Sequence, residues 1–180
     1  MSAKGQVAAQ TALTPNERLS MSPEARAKMR RRERDVYEYY DDMGPGKGNC
    51  TWGAGILAHL KPCTKDEIGK RVSQAAIDAE YARRVAIAER GVRHNVRKTA
   101  LNQEQFDVLV SLAYNAGVSG SMHVFRLIDK GELNQAAGSI SRMTSTTVNG
   151  KKVLTRGLIA RRAEESAPFR SIETKAVAKK

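Results

Sequence analysis

The sequence predicts an α+β fold that is mostly helical, with a small β element carrying residues 40–60 and a cleft between two lobes. Three observations lead there. "LNQEQFDVLVSLAYNAG", residues 101–117, places Leu101, Gln105, Leu109 and Leu112 beside a Phe106–Val110 row, the threes-and-fours spacing of an amphipathic helix. An alanine-rich periodic stretch from Ile68 to about Arg90 is long enough to join two lobes. Between Tyr40 and Pro62, "MGPGKGN" and "CTWGAGILAHL" replace that periodicity with turn chemistry and a short strand pattern.

Taken in order, residues 1–20 are small and polar without periodicity and predict a flexible arm. "SPEA" then starts a helix: Ser22 caps, Pro23 suits the first helical position, and Glu24 complements the positive end of the dipole. This helix is expected to run through "RAKMRRRERDVYEY" and stop before Gly44, with Met29, Val36, Tyr37 and Tyr40 on its apolar face. In the turn, glycines supply positive φ and Pro45 fixes its own. Thr64 and Glu67 form a capping-box signature for the long helix, whose apolar row is Val72, Ala75, Ala79, Ala82 and Ala86. Gly117 ends the amphipathic helix, and "HVFRLIDKG" and "ELNQAAGSISRM" predict two more. Asn149-Gly150 within "TTVNGKKVLT" signals a hairpin, and "GLIARRAEESAPF" a last helix. One domain over residues 21–172 is therefore expected, with a basic tail at 173–180.

Thirty-one Lys and Arg face nineteen Asp and Glu, a net charge of +12 that attracts polyanions: nucleic acid, an anionic membrane or a bacterial wall. No run of about 18 apolar residues spans a membrane, and the first twenty residues lack the apolar core of a secretory signal. Synthesis and first residence in a cytosol are expected. Two cysteines, Cys50 and Cys63, make no disulfide scaffold. Either they stay reduced, as a cytosol favours, or they bridge and staple the small lobe. His59, His94 and His123 have no ligand spacing, so neither a metal nor any other cofactor is expected.

"ERDVYEYYDDMGPGKGNCTWGAGI", residues 33–56, gathers carboxylates beside a tight turn in a strongly basic chain. Glycosidic cleavage needs one carboxyl to protonate the leaving oxygen and a second carboxylate to activate water or attack. Glu33 and Asp42 can face one another across a cleft, and Thr51 offers a hydroxyl to hold water. Solvated surface carboxylates are the bland alternative for such a pair. Asp41 adjoins Asp42, but neighbours on an extended chain point to opposite faces, so one of them enters the cleft.

The order Glu33, eight residues, Asp42, a turn and "TWGAG" resembles the phage-type lysozymes of glycoside hydrolase family 24. "LNQEQFDVLVSLAYNAG" is similar to that family's Leu-x-Gln-x-Gln-Phe-Asp-x-Leu-x-Ser…Asn-x-Gly helix, and "RGLIARRAEE" to its Gly-Leu…Arg-Arg…Glu segment. The likeness covers roughly residues 22–168 in order. It implies a lysozyme-like two-lobed fold: a small β-hairpin lobe and a larger helical lobe joined by a long helix. It makes Glu33 the general acid, Asp42 the carboxylate that orients water, and Thr51 the hydroxyl that helps hold it. Asn115 falls where family members contact the glycan, with Gln105 a weaker candidate and Trp52 a possible sugar platform that packing would equally explain. Arg161 and Arg162 stand where they brace the catalytic Glu and the lobe interface, surface ion pairs being the alternative. The chain departs from the pattern in its longer turn from Asp42 to Thr51, in Ile56 following Gly55 where a histidine is common, and in Met143 at a common tryptophan.

The resemblance implies a monomeric muramidase cutting the β-1,4 bond between N-acetylmuramic acid and N-acetylglucosamine in peptidoglycan. A role as a phage endolysin follows, waiting in the host cytoplasm without a membrane anchor until a separate pore admits it to the periplasm and wall. A virion-borne lysin or an inactive wall binder would share the fold. A basic nucleic-acid-binding helical protein is the alternative from another class, but no recognised nucleic-acid motif accompanies "KMRRRER".

Overall fold

The structure, a computed structural model, describes residues 14–148 and 151–170. Arm residues 1–13, the hairpin tip Asn149-Gly150 and the tail 173–180 lie outside them. Helix α1 (Pro23–Arg30) starts as its sequence predicts, with the Ser22 hydroxyl accepting from the Ala25 N–H. The same hydroxyl donates to Asp107 Oδ2 at 2.6 Å, so α1 is capped by its own residue and anchored to another helix.

Beyond Arg30 the expected helix gives way to strand β1 (Val36–Asp41), which pairs antiparallel with β2 (Cys50–Gly53), itself paired with β3 (Ile56–His59). The β-branched and aromatic run "VYEYY" fits a pleated surface better than a helix. The bend between α1 and β1 is clasped by Arg30, whose guanidinium meets Asp35 at 2.5 Å. A second difference follows on the far edge of β1. Glu67 Oε2 does accept from both the Thr64 N–H and the Thr64 hydroxyl, half of the expected capping box, but the turn ends at Gly69. Residues 69–72 instead bond along β1, through Gly69 N–H to Tyr39 O and Val72 N–H to Tyr37 O. The long helix α2 (Gln74–Asn95) therefore starts late, capped by Ser73.

Six further elements follow in the helical lobe: α3 (Gln103–Ala116), α4 (Val118–Asp129), α5 (Leu133–Arg142), the hairpin β4 (Ser145–Val148) and β5 (Lys151–Leu154), and α6 (Arg156–Ser166). Its core centres on α3, where Phe106, Leu109, Val110 and Leu112 are all fully buried, joined by Phe125, Ile128 and Ile140. In α2 the buried row is Ile77, Tyr81, Val85, Ala88 and Val92, while Ala75 and Ala79 of the expected row are exposed. The larger side chains take the core, since burial scales with apolar area. Gly91 lets α4 cross α2 closely: a Cβ there would sit 2.5 Å from a Val118 methyl.

Part of the expected arm belongs to the fold. Asn16 is fully buried, its Nδ2 donating to Val96 O and Thr99 O while its Oδ1 accepts from the Leu101 N–H at 2.9 Å. This one carboxamide closes the α2–α3 connection. Asn16→Ala, which leaves an N–H and two carbonyls without partners, is expected to cost about 2–4 kcal/mol of stability in urea denaturation.

Candidate active site

Glu33 lies in the bend that follows α1, half-buried. Burial pushes its carboxyl above the ordinary value, opposed by the positive charges of Arg161, Arg30 and Arg84 and assisted by Asp35. Two phenols share this environment. Tyr81 and Tyr114 meet edge to face at 5.6 Å, and burial together with Glu33 pushes the Tyr114 hydroxyl up to about 12. The Tyr81 hydroxyl donates to Arg26 O, and the Arg30 guanidinium lies 5.3 Å from its ring centre. Neither tyrosine stands out in the sequence. Tyr114 could have been found as the neighbour of Asn115, and Tyr81 as the one aromatic of α2.

The second cluster is built on the β1–β2 hairpin. Register pairs Asp41 with Cys50 and Tyr40 with Thr51, so strand alternation puts Tyr40, Asp42 and Thr51 on one face. Tyr39, Asp41, Cys50 and Trp52 take the other. On the first face Asn49 is the hub. Its N–H donates to Asp42 Oδ1 at 2.8 Å, its side-chain amide donates to Asp42 Oδ2, and its carbonyl accepts from Thr51 Oγ1 at 3.3 Å. The long turn thus delivers Thr51 to the face of Asp42. Asn49 reads as simple turn chemistry in the sequence, and its role depends on strand register that a single sequence does not display.

Gly48 makes this approach possible. With φ at +77° it occupies backbone space suited to glycine, and a Cβ there would lie 2.0 Å from Asp42 Oδ1. The paired carboxylate is spent on structure: Asp41 Oδ1 accepts from the Cys63 N–H at 2.7 Å and Oδ2 from the Gly46 N–H at 2.6 Å. Cys50 and Cys63 form a disulfide, with Cα atoms 4.4 Å apart, so of the two states open to them the bridge is the one present. Asp41 and the bridge together hold the outer face of the hairpin.

The remaining candidates divide. Asn115 is exposed at the end of α3, its Oδ1 fixed by the Arg162 guanidinium, and it lines a cleft of about 530 Å³ with Met143 and the β4–β5 hairpin. Gln105 is engaged at both ends: Oε1 accepts from the Asn102 N–H in a capping box and Nε2 donates to Pro168 O. Trp52 lies on the outer face, stacked on Tyr39 with ring centres 6.1 Å apart, and is not brought to the face of Thr51. Arg161 and Arg162 are buried rather than on the surface, and both bond the buried Glu165. Ser111 joins them, donating to Glu165 Oε1 and accepting from Arg161.

Comparison with known proteins gives a consistent family. The family described as phage lysozyme matches residues 33–165. An endolysin of Acyrthosiphon pisum secondary endosymbiont phage 1 is 27% identical over 126 residues, covering 69% of this chain and 82% of that protein. Among solved structures, the muramidase domain of SpmX from Asticaccaulis excentricus superposes with a TM-score of 0.64 at 27% identity, over 86% of this chain and 99% of that one. An endolysin from Escherichia coli O157:H7 phage FAHEc1 shares the fold at a TM-score of 0.60 and 24% identity, over 84% of this chain and 94% of its own.

Two stability measurements test the geometry independently of any reaction. Asp41→Asn should lower stability by about 1–3 kcal/mol in urea, because an amide presents one acceptor where two N–H donors converge, while Asp42→Asn at the exposed position should cost about 1 kcal/mol or less. Glu33→Gln should raise stability at neutral pH. The raised Glu33 carboxyl favours the folded state below its unfolded value of 4.5, and that contribution is lost as pH rises through the folded value. The advantage of the glutamine variant should therefore vanish in acid, which thermal melts across pH would show.

Proposed function

The chain belongs to the phage lysozyme family, and we propose that it hydrolyses the β-1,4 N-acetylmuramic acid–N-acetylglucosamine bond of peptidoglycan with Glu33, Asp42 and Thr51 as its working residues. The observation that carries this assignment is the unlike setting of the two carboxyls. Glu33 is half-buried with its carboxyl pushed up, whereas Asp42 is exposed and accepts hydrogen bonds from both N–H groups of Asn49. Carboxyls whose surroundings differ in this way divide into acid and base.

Glu33 gives its proton to the glycosidic oxygen as the C–O bond breaks. Water held between Asp42 and the Thr51 hydroxyl attacks the anomeric carbon from the opposite face, and Asp42 accepts the proton that water loses. Thr51 already donates its hydroxyl hydrogen to Asn49, which leaves its oxygen to accept from the water. The product sugar is released with inverted configuration. Asn115, with Oδ1 held by Arg162, offers its Nδ2 hydrogens to the glycan.

The place of action is the cell wall, and the net charge of +12 concentrates the enzyme on that anionic surface. Among the described residues no helix is long and apolar enough to cross a membrane. We assign the enzyme to host lysis as a monomer that reaches the wall from the host cytoplasm through a separately formed pore.

Reducing-end release from purified peptidoglycan tests the chemistry. Glu33→Gln should lower kcat by about 10²–10⁴-fold with the fold intact, and Asp42→Asn should cost far more activity than Asp41→Asn. Near-normal turnover by folded Glu33→Gln would overturn the assignment. Arg84→Met removes a positive charge that pulls the Glu33 carboxyl down, so the acid stays protonated to higher pH and the alkaline limb of kcat/KM should move upward.

A further inference from the structure

The outer edge of the small sheet gathers four side chains that carry metal-ligating atoms. Register pairs Cys50 with His59 across β2 and β3, and the bridge brings Cys63 to Cys50. Glu67 reaches in from the turn after Cys63, both of its oxygens 3.1 Å from His59 Nε2. Cys50 Sγ, a ring nitrogen of His59 and a carboxylate oxygen of Glu67 all lie within 4.8 Å of one another. The order Cys50, His59, Cys63, Glu67 matches no finger pattern, so strand pairing assembles a group that the sequence does not announce.

The hydrogen bonds around the group orient it as metal ligands are oriented. His59 Nδ1 gives its hydrogen to the Leu60 carbonyl at 3.0 Å, which turns Nε2 toward Glu67. Glu67 Oε2 accepts from the Thr64 N–H and hydroxyl, while Oε1 meets His59 alone among the described residues. Outer bonds of this kind fix the tautomer and direction of a ligand before any metal arrives. An ion pair accounts for His59 and Glu67 and a bridge for the cysteines, but neither requires the four to meet at one point. Two thiolates, an imidazole and a carboxylate suit a tetrahedral zinc ion, whose ligand atoms stand about 3.3–3.8 Å apart. The side chains of His59 and Glu67, 40% and 30% exposed, have room to close the remaining distance.

We propose that the chain, once its bridge is reduced, binds one zinc ion between Cys50, Cys63, His59 and Glu67. Zinc binding here is independent of the muramidase assignment. A phosphine that reduces the bridge takes oxygen from water and becomes its oxide, while two electrons and two protons pass to the sulfurs. Zinc then forms two Zn–S bonds, one bond to His59 and one to Glu67. Both thiol protons are released, together with any proton that Nε2 shares with Glu67. The metal ties β2, β3 and the following turn together where the bridge ties Cys50 to Cys63 alone.

The test reduces the full chain with a water-soluble phosphine under anaerobic conditions and titrates it with Zn²⁺ against a chromophoric chelator. Reduced wild type should take up about one zinc per chain, and bridged protein should bind at least about 100-fold more weakly. Co²⁺ in place of zinc should give the strong visible absorption of a tetrahedral thiolate site. His59→Gln and Glu67→Gln should each weaken binding at least about tenfold. Bound zinc should also slow alkylation of both cysteines at least about tenfold, because the thiolates are then occupied. Circular dichroism verifies that each reduced protein keeps its fold. Reduced wild type that takes up no zinc overturns the proposal, whether or not its hairpin stays closed. Unchanged affinity in either variant overturns it too, since the thiols would then hold the metal without that ligand.

Discussion

The buried carboxylate of Glu165 is the constraint on which the helical side of the site depends. It is 2% exposed and lies between two guanidinium groups, Arg161 at 3.0 Å and Arg162 on its other oxygen. Buried charges are costly to desolvate, so such a group persists only when every partner is in place. The partners here reach in three directions. Arg161 bonds the Ser111 carbonyl and hydroxyl in α3, and its field bears on Glu33. Arg162 grips the Met143 carbonyl at the end of α5 and the Asn115 side chain at the cleft. A single carboxylate thus holds the guanidinium whose field bears on Glu33 and the one that orients the Asn115 side chain.

The β side solves the same problem with different means. Its hairpin has little apolar interior, Ile56 and Ala54 being its chief buried hydrophobics. Position is instead fixed by strand register, by Asn49 on one face, and by Asp41 with the Cys50–Cys63 bridge on the other. The adjacent aspartates show how alternation divides labour. One carboxylate is consumed by backbone N–H groups so that its neighbour is presented to solvent at a defined place.

Much of this was legible in the sequence where a signal was local and strong. Helix α3 has an unbroken apolar period, its own capping residues and a terminal glycine, and it forms over the expected residues. The early helix is shorter than its sequence implies: "RRRERDVYEYY" contains no breaker, but the chain leaves the helix at the Arg30–Asp35 clasp and pairs as a strand with residues 50–53. Thr64 and Glu67 gave a true capping signal for a turn that tertiary pairing then cut short. Asn16 carried no local sign at all, since its partners are more than 80 residues away or at the far end of α2. Within the candidate site, Glu33, Asp42, Thr51, Asn115, Gln105 and Trp52 were all pointed to by family resemblance, and only the structure shows that Gln105 caps α3 and that Trp52 stacks on Tyr39. Asn49 and Gly48 were hidden because their importance is geometric, not compositional.

The unequal construction of the two lobes means that they answer to different agents. The helical lobe is held by buried apolar area, and urea or heat acts on it as one cooperative unit. The hairpin lobe is held by a covalent bridge and by a carboxylate at backbone amides, so a reductant acts on a constraint that the helical core does not share. Storage and formulation of the protein therefore pose two separate problems. A preparation can keep its full helical spectrum and its melting transition and still have lost the alignment of Asp42 with Thr51, so the redox state of one cysteine pair is as informative a quality measure as the melting curve.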